Sequence, residues 1–484
     1  MSIPESLGAF EPALLWRFFL GLSAIPRGSR HEAAAADWVA EQGRALGCVV
    51  ERDAVGNVLL RKAASPGREG RPTVALQGHV DMVCEKNEGT AHDFLRDPIQ
   101  VVRNGDLLHA RGTTLGADNG IGVAAALAVL AESTLVHPPI EVLITIDEET
   151  GLTGANGLQG GWLRAATLLN LDSEEEGELT IGCAGGVDTI ARRRVTRSAL
   201  PAGAAVLRIK VSGLKGGHSG IDIAQGRANA LRMLAQVLDG LVSQYGVALA
   251  SITGGSKRNA IPREAFATIA CSAASVDAVR AQVERQETAW RAAFGAFDPN
   301  VALGVGPGET ESVMSAADTR AVVGLLLAGP HGVEAMSPDI AGLVQTSTNM
   351  GVADTHPDGV EICFLTRSAI ESSKWSLAAR IAATAALAGF TTENTAGYPG
   401  WKPEPGAAVV GLIDAVHREL FGKPMAVKAI HAGLECGLIG EKYPQMEMAS
   451  IGPNMWDVHT PDERVSIHSV GEFWKLLTAI LARM

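Results

Sequence analysis

Hydrophobic and polar positions alternate with two different periods along the chain, and the switch between them lays out its elements. The segment HEAAAADWVAEQGRALG (residues 31–47) repeats its apolar positions at helical spacing, and Ser29 with Glu32 three residues on forms a capping-box pattern ahead of it. Short β-rich runs follow at CVVERD, NVLLRK, TVALQ, IEVLITI and TLLNL, with an Ala-rich helix, NGIGVAAALAVLAES, between the third and fourth. Strands alternating with helices predict an α/β fold, a mainly parallel sheet with helices on both faces. The apolar stretch at the N-terminus is interrupted by Arg17, carries Glu5 and Glu11 in place of a basic leader, and has no clear cleavage site, so it reads as a first helix.

From about residue 187 the texture changes. A basic turn, RRRVTR, leads to VLRIKVSG, then to helical patterns in GRANALRMLAQVLDGLVSQY and SVDAVRAQVERQETAWRAAF, and later to VEICFLTRS and SSKWSLAARIAATAALAG. This is the pattern of a second, α+β unit. The Pro- and Gly-marked AGYPGWKPEPG then suits a crossover, after which AVKAIHAG and MEMASIG resume the earlier alternation. The expected organisation is a discontinuous first domain, residues 1–186 and 400–484, with residues 187–399 inserted into it as a second. A length of 484 residues, beyond what one core usually serves, agrees with two domains.

Composition narrows the class of protein. With 46% apolar and 19% charged residues the chain has the balance of a folded protein with a substantial core. A net charge of −12 repels phosphate backbones and argues against nucleic acid as a partner. No run supplies the roughly 20 apolar residues that a bilayer requires, so no membrane role is expected. Six scattered cysteines without a CxxC pair do not form a disulfide framework, and a reducing cytoplasm fits them best.

The candidate chemistry lies just past the strand ends. TVALQ runs into His79 and Asp81, IEVLITI into Glu148 and Glu149, TLLNL into Asp172, and Asp118 opens the Ala-rich helix. In open parallel sheets the carboxyl ends of the strands converge on one crevice, so residues distant in sequence can meet there. Two imidazoles among several carboxylates suit zinc or a similar divalent ion, and a carboxylate set between two His/carboxylate groups can bridge a pair of ions. The assignment is Asp118 as the bridge, His79 and Asp172 on one ion, and Glu149 and His459 on the other. Asp81 would orient His79 through its second ring nitrogen. Glu148, beside a ligand but free, would take a proton from water and deliver it to a leaving amine. Taken singly, each has a plainer reading: an exposed Glu pair, an acidic surface run in DSEEEGE around Asp172, a turn histidine in KGGHSG at His218. Their shared position at successive strand ends sets the functional reading above these.

The strings GHVDMV, GTTLGADNGIG, IDEETGLTGA, NLDSEEEGEL, GCAGG, GLKGGHSG, KRNAIPRE, YPGWKP, IHAGLECG and VHTPDERVSI, in this order, resemble the aminoacyl-histidine dipeptidases, a branch of the aminoacylase and carboxypeptidase superfamily of metallopeptidases. The similarity runs from roughly residue 10 to the C-terminus. It implies a zinc-peptidase catalytic domain with an inserted lid domain, the same ligand set, and hydrolysis of dipeptides, Xaa-His and β-alanyl-histidine among them. It also implies roles in the lid: His218 to polarise the scissile carbonyl and stabilise the oxyanion, Asn259 and Arg367 to hold the substrate carboxylate, and Gly433 to bring a backbone group to the substrate. Without the resemblance, Arg367 reads as one side of a salt bridge and Asn259 as a turn amide. Two divalent ions are expected, zinc first, with cobalt or manganese as alternatives because the same N/O donors accept all three. The expected partners are a small peptide substrate and a second copy of the chain in a homodimer. Competing readings are a tripeptidase, an N-acyl amino acid deacylase or a carboxypeptidase of the same superfamily, and, outside enzymes, a peptide-binding module.

Overall fold

The computed structural model describes residues 9–484. The chain forms two compact units, one made of the chain up to Gly182 with Pro403–Ala429 and Leu434–Met484, the other of Cys183–Lys402 with Ile430–Gly433. In the first unit, eight strands form one sheet: β1 (Val49–Arg52), β2 (Val58–Lys62), β3 (Val74–His79), β4 (Ile140–Thr145), β5 (Thr167–Asn170), β6 (Glu178–Cys183), β7 (Ala426–Ile430) and β8 (Glu447–Ser450), in the order β1-β2-β4-β3-β5-β8-β6-β7. The centre, β4-β3-β5-β8, is parallel. The sheet's margin at β1 and β2 is antiparallel, as is the pairing of β8 with β6. Strands β3 and β4 are buried at every residue, which is why their sequences, VALQGH and IEVLIT, show no regular polar and apolar alternation.

Helices α1 (Ala13–Ser23), α2 (Ala33–Ala45) and α3 (Ala117–Ala131) occupy the segments expected of them. The small residues of α3 let it press against β3: a Cβ on Gly78 would come within 2.2 Å of Asn119 Oδ1, and one on Gly122 within 2.5 Å of the Leu171 carbonyl. The capping-box expectation fails. Glu32 is the N-cap of α2 and makes no side-chain cap hydrogen bond, while Ser29 Oγ donates to Asp81 Oδ2 at 2.8 Å. A buried carboxylate offers the hydroxyl a charged acceptor, a stronger partner than a helix amide. A four-stranded antiparallel sheet of Val101–Asn104, Leu107–Ala110, Met455–Trp456 and Arg464–Ser466 completes the unit; strands this short carry no readable periodicity.

The second unit is built on a nine-stranded sheet whose pairings are antiparallel, with Gly359–Ser368 between Val344–His356 and Gly185–Arg194. Its helix Ala230–Tyr245 buries Leu231, Leu234, Leu238 and Leu241, one stripe at helical spacing. Among the described residues no helix is long and apolar enough to cross a membrane, and all six cysteines are free.

Candidate active site

In the first unit, the ends of the parallel strands bring His79, Glu148, Glu149 and Asp172 together with Asp118 at the start of α3 and His459 between two short antiparallel strands. Asp118 lies in the middle. Its Oδ1 is 3.1 Å from His79 Nε2, and its Oδ2 is 3.2 Å from His459 Nε2. Asp172 Oδ1 lies 3.5 Å from His79 Nε2, and Glu149 Oε2 lies 3.0 Å from His459 Nε2. Two sets of three donors result, His79/Asp118/Asp172 and Asp118/Glu149/His459, each within 4.8 Å of one another and sharing Asp118. His79, Glu148 and Glu149 form a third such group, which places Glu148 at the edge of the cluster.

Local structure fixes each member. His79 ends β3, and Nδ1 of its ring is 3.3 Å from Asp81 Oδ1. Asp81 is itself tied down by Ser29 Oγ and by the backbone N–H groups of Glu148 (3.0 Å) and Glu149 (3.3 Å). One carboxylate thus lies against the imidazole and accepts from the turn that carries the Glu pair. Burial opposes the charge on Asp81, but His79 and these donors hold its pKa down at about 2. Asp147, with φ 46°, makes that turn, and both Thr150 and Thr153 donate hydroxyl hydrogen bonds to its carboxylate. His459 also has positive φ, 64°, in the connection between the short strands Met455–Trp456 and Arg464–Ser466. A non-glycine residue in that region is uncommon and is retained where it aims a side chain.

The approach to Asp118 is clamped from two sides by residues that sequence reasoning missed. Glu463 accepts the backbone N–H groups of Leu115 (2.6 Å), Gly116 (2.9 Å), Ala117 (2.7 Å) and Asp118 (3.4 Å). Arg27, 1% exposed, donates to the carbonyls of Val80 (2.9 Å), Asp81 (3.0 Å) and Gly116. The arginine therefore joins the end of the His79 strand to the Asp118 loop. Glu463 is four residues past His459 in a Thr-Pro-Asp-Glu turn, where sequence alone cannot separate it from a solvated acid.

The electrostatics are those of a site short of positive charge. Burial and neighbouring carboxylates raise Asp172 and Glu148 well above the usual range despite His79. Glu174 is pushed up to about 7 by burial and by Asp118. Hydrogen bonds to Asp118 and Glu149 hold His459 up to about 11, and burial of His79 is outweighed by Asp172, Asp118 and Asp81, so that its pKa also rises. Among the described residues, buried Glu149 Oε1 and Asp172 Oδ1 have no hydrogen-bond partner. Unsatisfied buried carboxylate oxygens are costly unless a cation completes them. Divalent ions therefore fit this donor set, whose mixed imidazole and carboxylate chemistry suits zinc, cobalt or manganese.

The remaining expected residues lie in the second unit. Arg367, 4% exposed, is held by neutral partners: Nη1 donates to Tyr398 Oη at 2.9 Å, Nε donates to Ser219 Oγ at 3.3 Å, and Nη2 is 3.4 Å from His218 Nε2. Among the described residues no carboxylate pairs with Arg367, so it is not half of a salt bridge. His218 Nδ1 lies 3.3 Å from the Gly220 N–H nitrogen and 3.1 Å from that of Ile221, so donors face both nitrogens of a neutral ring. Burial and Arg367 lower the His218 pKa against the pull of Asp222 and keep that neutral form. Asn259 is exposed, and its carbonyl accepts the Ser219 N–H at 2.9 Å. Gly433 lies against Tyr398, where a Cβ would meet the ring at 2.9 Å. His431, 2.7 Å from Ser347 Oγ, is the other imidazole here, and burial with Arg367 and His218 lowers it to about 3. Tyr398, Ser219 and His431 sit in the YPGW, GGHSG and IHAG strings, but nothing in their spacing marks them.

An α/β sheet that crowds carboxylates and imidazoles past its parallel strand ends, with one acid set beside the cluster, is the architecture of a hydrolase. The chain belongs to peptidase family M20/M25/M40, whose model matches residues 75–483. It is 44% identical, over 99% of both chains, to the cytosol non-specific dipeptidase of Escherichia coli (strain K12). The crystal structure of aminoacylhistidine dipeptidase from Vibrio alginolyticus superposes with a TM-score of 0.93 at 42% identity, covering 99% of this chain and 98% of that one. Aminopeptidase PepT from Bacillus cereus, at 17% identity, shares the fold with a TM-score of 0.57 over 98% of both chains. The chain is thus a hydrolytic enzyme, a peptidase.

Proposed function

We propose that this peptidase cleaves dipeptides, Xaa-His and β-alanyl-histidine among them, at a centre of two divalent ions, zinc first. The single observation that carries the metal reading is the pair of triads sharing Asp118, one oxygen toward each histidine. His79 and Asp172 would hold one ion and Glu149 and His459 the other, with Asp118 common to both. Bound there, divalent ions lower the pKa of water and polarise a carbonyl.

Glu148 then acts as general base. It takes a proton from the attacking water as the oxygen bonds to the carbonyl carbon, and returns it to the amine as the C–N bond breaks. Asp81 keeps His79 in the ligating orientation and anchors the Glu148 turn. In the second unit, Arg367 has no counter-carboxylate among the described residues and suits the planar carboxylate of a peptide, with Asn259 beside His218 as a further polar contact and Gly433 supplying backbone. His218 would donate to a developing oxyanion, an interaction worth about 10²- to 10³-fold in rate when removed. The identity to a dipeptidase over the whole chain supports this choice over a tripeptidase, deacylase or carboxypeptidase. A small peptide is the expected partner, the homodimer remains part of the proposal, and a cytoplasmic setting agrees with the cytosol relative and the free cysteines.

The test is hydrolysis of Ala-His, β-Ala-His, Gly-Gly-Gly and N-acetyl-Ala by chelated enzyme with and without added zinc, beside Glu148→Ala. Zinc-restored cleavage of the dipeptides, lost in the variant, is the expected result. Cleavage of only the tripeptide or the acetylated substrate would overturn the substrate class, and cleavage of none would favour a peptide-binding module.

A further inference from the structure

Below the metal-type cluster a layer of buried polar side chains crosses the four parallel strands. Asn170 Nδ2, at the end of β5, donates to Gln77 Oε1 of β3 at 2.6 Å, and Ser450 Oγ, ending β8, donates to Asn170 Oδ1. Gln77 Nε2 in turn donates to Glu435 Oε2 at 2.6 Å, and Thr145 Oγ1, ending β4, donates to the same oxygen at 2.7 Å. Glu435 opens the helix Glu435–Lys442 and is 2% exposed. Its other oxygen, Oε1, is buried with no hydrogen-bond partner among the described residues.

A carboxyl group is an expensive side chain to bury in a layer that amides and hydroxyls already fill, so its placement calls for a reason. Its two bonded neighbours supply one. Gln77 is two residues before His79, and Thr145 is followed at once by the Ile146–Glu149 turn. One oxygen, beside a direct Gln77 Nε2–Thr145 Oγ1 hydrogen bond of 3.2 Å, therefore ties together the ends of the two strands that deliver His79 and the Glu pair.

We infer that Glu435 is a positioning residue of the reaction centre: by bridging Gln77 and Thr145 it fixes the spacing between His79 and the Glu148–Glu149 turn. This rests on the metal reading above. The effect belongs to the ligands and not to the fold, because β3 and β4 are already paired along their length by six backbone register pairs. Burial raises the Glu435 carboxyl to about 7, which is compatible with a group whose task is hydrogen bonding and not charge.

The experiment compares unaltered enzyme with Glu435→Gln and Glu435→Ala by zinc titration calorimetry, by the visible spectrum of the cobalt-loaded protein, and by kcat and KM for Ala-His. Glu435→Gln keeps an acceptor oxygen for both donors and is expected to bind zinc within about threefold of the unaltered chain. Glu435→Ala is expected to bind zinc about 10- to 100-fold more weakly, with a changed cobalt spectrum and a loss in kcat at similar KM, as for other partners that orient metal ligands. A folded alanine variant with unchanged zinc affinity and cobalt spectrum would overturn the inference. Should that variant not fold, Thr145→Val decides: a severalfold weaker zinc affinity upholds the bridge and an unchanged one overturns it. No zinc uptake by the unaltered chain would instead refute the metal reading, so the two failures are distinct.

Discussion

Glu463 shows how much of a centre depends on residues that hold its backbone in place. Four successive amides point at its carboxylate, and removing the charge weakens every one of those bonds at once. Glu463→Gln also turns part of the acceptor into a donor facing N–H groups. We expect zinc affinity and kcat/KM to fall about 10- to 100-fold, while circular dichroism keeps its native form; unchanged zinc affinity would show that the loop holds Asp118 unaided. Arg27 is the complementary case, satisfying carbonyls where Glu463 satisfies amides. Neither residue differs in type from the many acids and arginines of an ordinary surface, and only burial distinguishes them.

At the scale of elements, the polar layer across β4, β3, β5 and β8 explains why the parallel strands carry Thr145, Gln77, Asn170 and Ser450 at or near their ends. The strand Val344–His356 carries the same lesson in the second unit. Its sequence, VQTSTNMGVADTH, lacks the apolar run of a buried strand, yet Thr346, Ser347, Thr348 and Asn349 are buried. Asn349 Nδ2 donates to the carbonyls of Arg258 and Ala260, Ser347 pairs with His431, and Thr346 pairs with Ser368 of the adjacent strand, so these polar groups find partners once tertiary structure forms. Helix Ala230–Tyr245 is stabilised by a cap that can be weighed. Asn229 Oδ1 accepts from Leu231 N at 2.9 Å and Arg232 N at 3.3 Å, and its Nδ2 donates to the Met350 carbonyl. Asn229→Ala should lower unfolding free energy by about 1–2 kcal/mol, read as a lower urea midpoint at unchanged slope.

For the whole molecule, stability should respond to both metal and pH. Ligands that bind only the folded chain stabilise it by mass action, about 2.7 kcal/mol when free zinc is 100 times its dissociation constant. Chelation is therefore expected to lower the thermal midpoint and zinc to restore it; coincident melting curves would refute a cation-completed centre. The pH response comes in part from His331, which burial and Arg232 lower to about 4. Its Nδ1 accepts the Met350 N–H at 3.3 Å, so the folded state wants the neutral ring. Between about pH 6.5 and 4 the unfolded chain binds the proton and the folded chain does not, and stability falls as pH falls through that window, by about 3 kcal/mol at most. His331→Gln should flatten this dependence in urea unfolding at pH 7 and pH 4.5; an equal loss in both proteins would place the acid sensitivity elsewhere.

The sequence by itself determined the alternation of strands and helices in the first unit, because buried parallel strands and Ala-rich helices impose their periods on the residues that form them. It also determined that His79, Asp118, Glu149 and Asp172 fall at strand ends or the helix start, a position that follows from chain order once the elements are known. Tertiary structure decided what depends on encounters across hundreds of residues. That Ser29 serves Asp81 and not its own helix, that Glu463 gathers four amides, that Arg367 has no carboxylate partner, and that Glu435 bridges Gln77 to Thr145 are facts of burial and distance. The reason is physical: a polar side chain's partner is whichever group desolvation leaves within about 3 Å, and local sequence does not encode that neighbour.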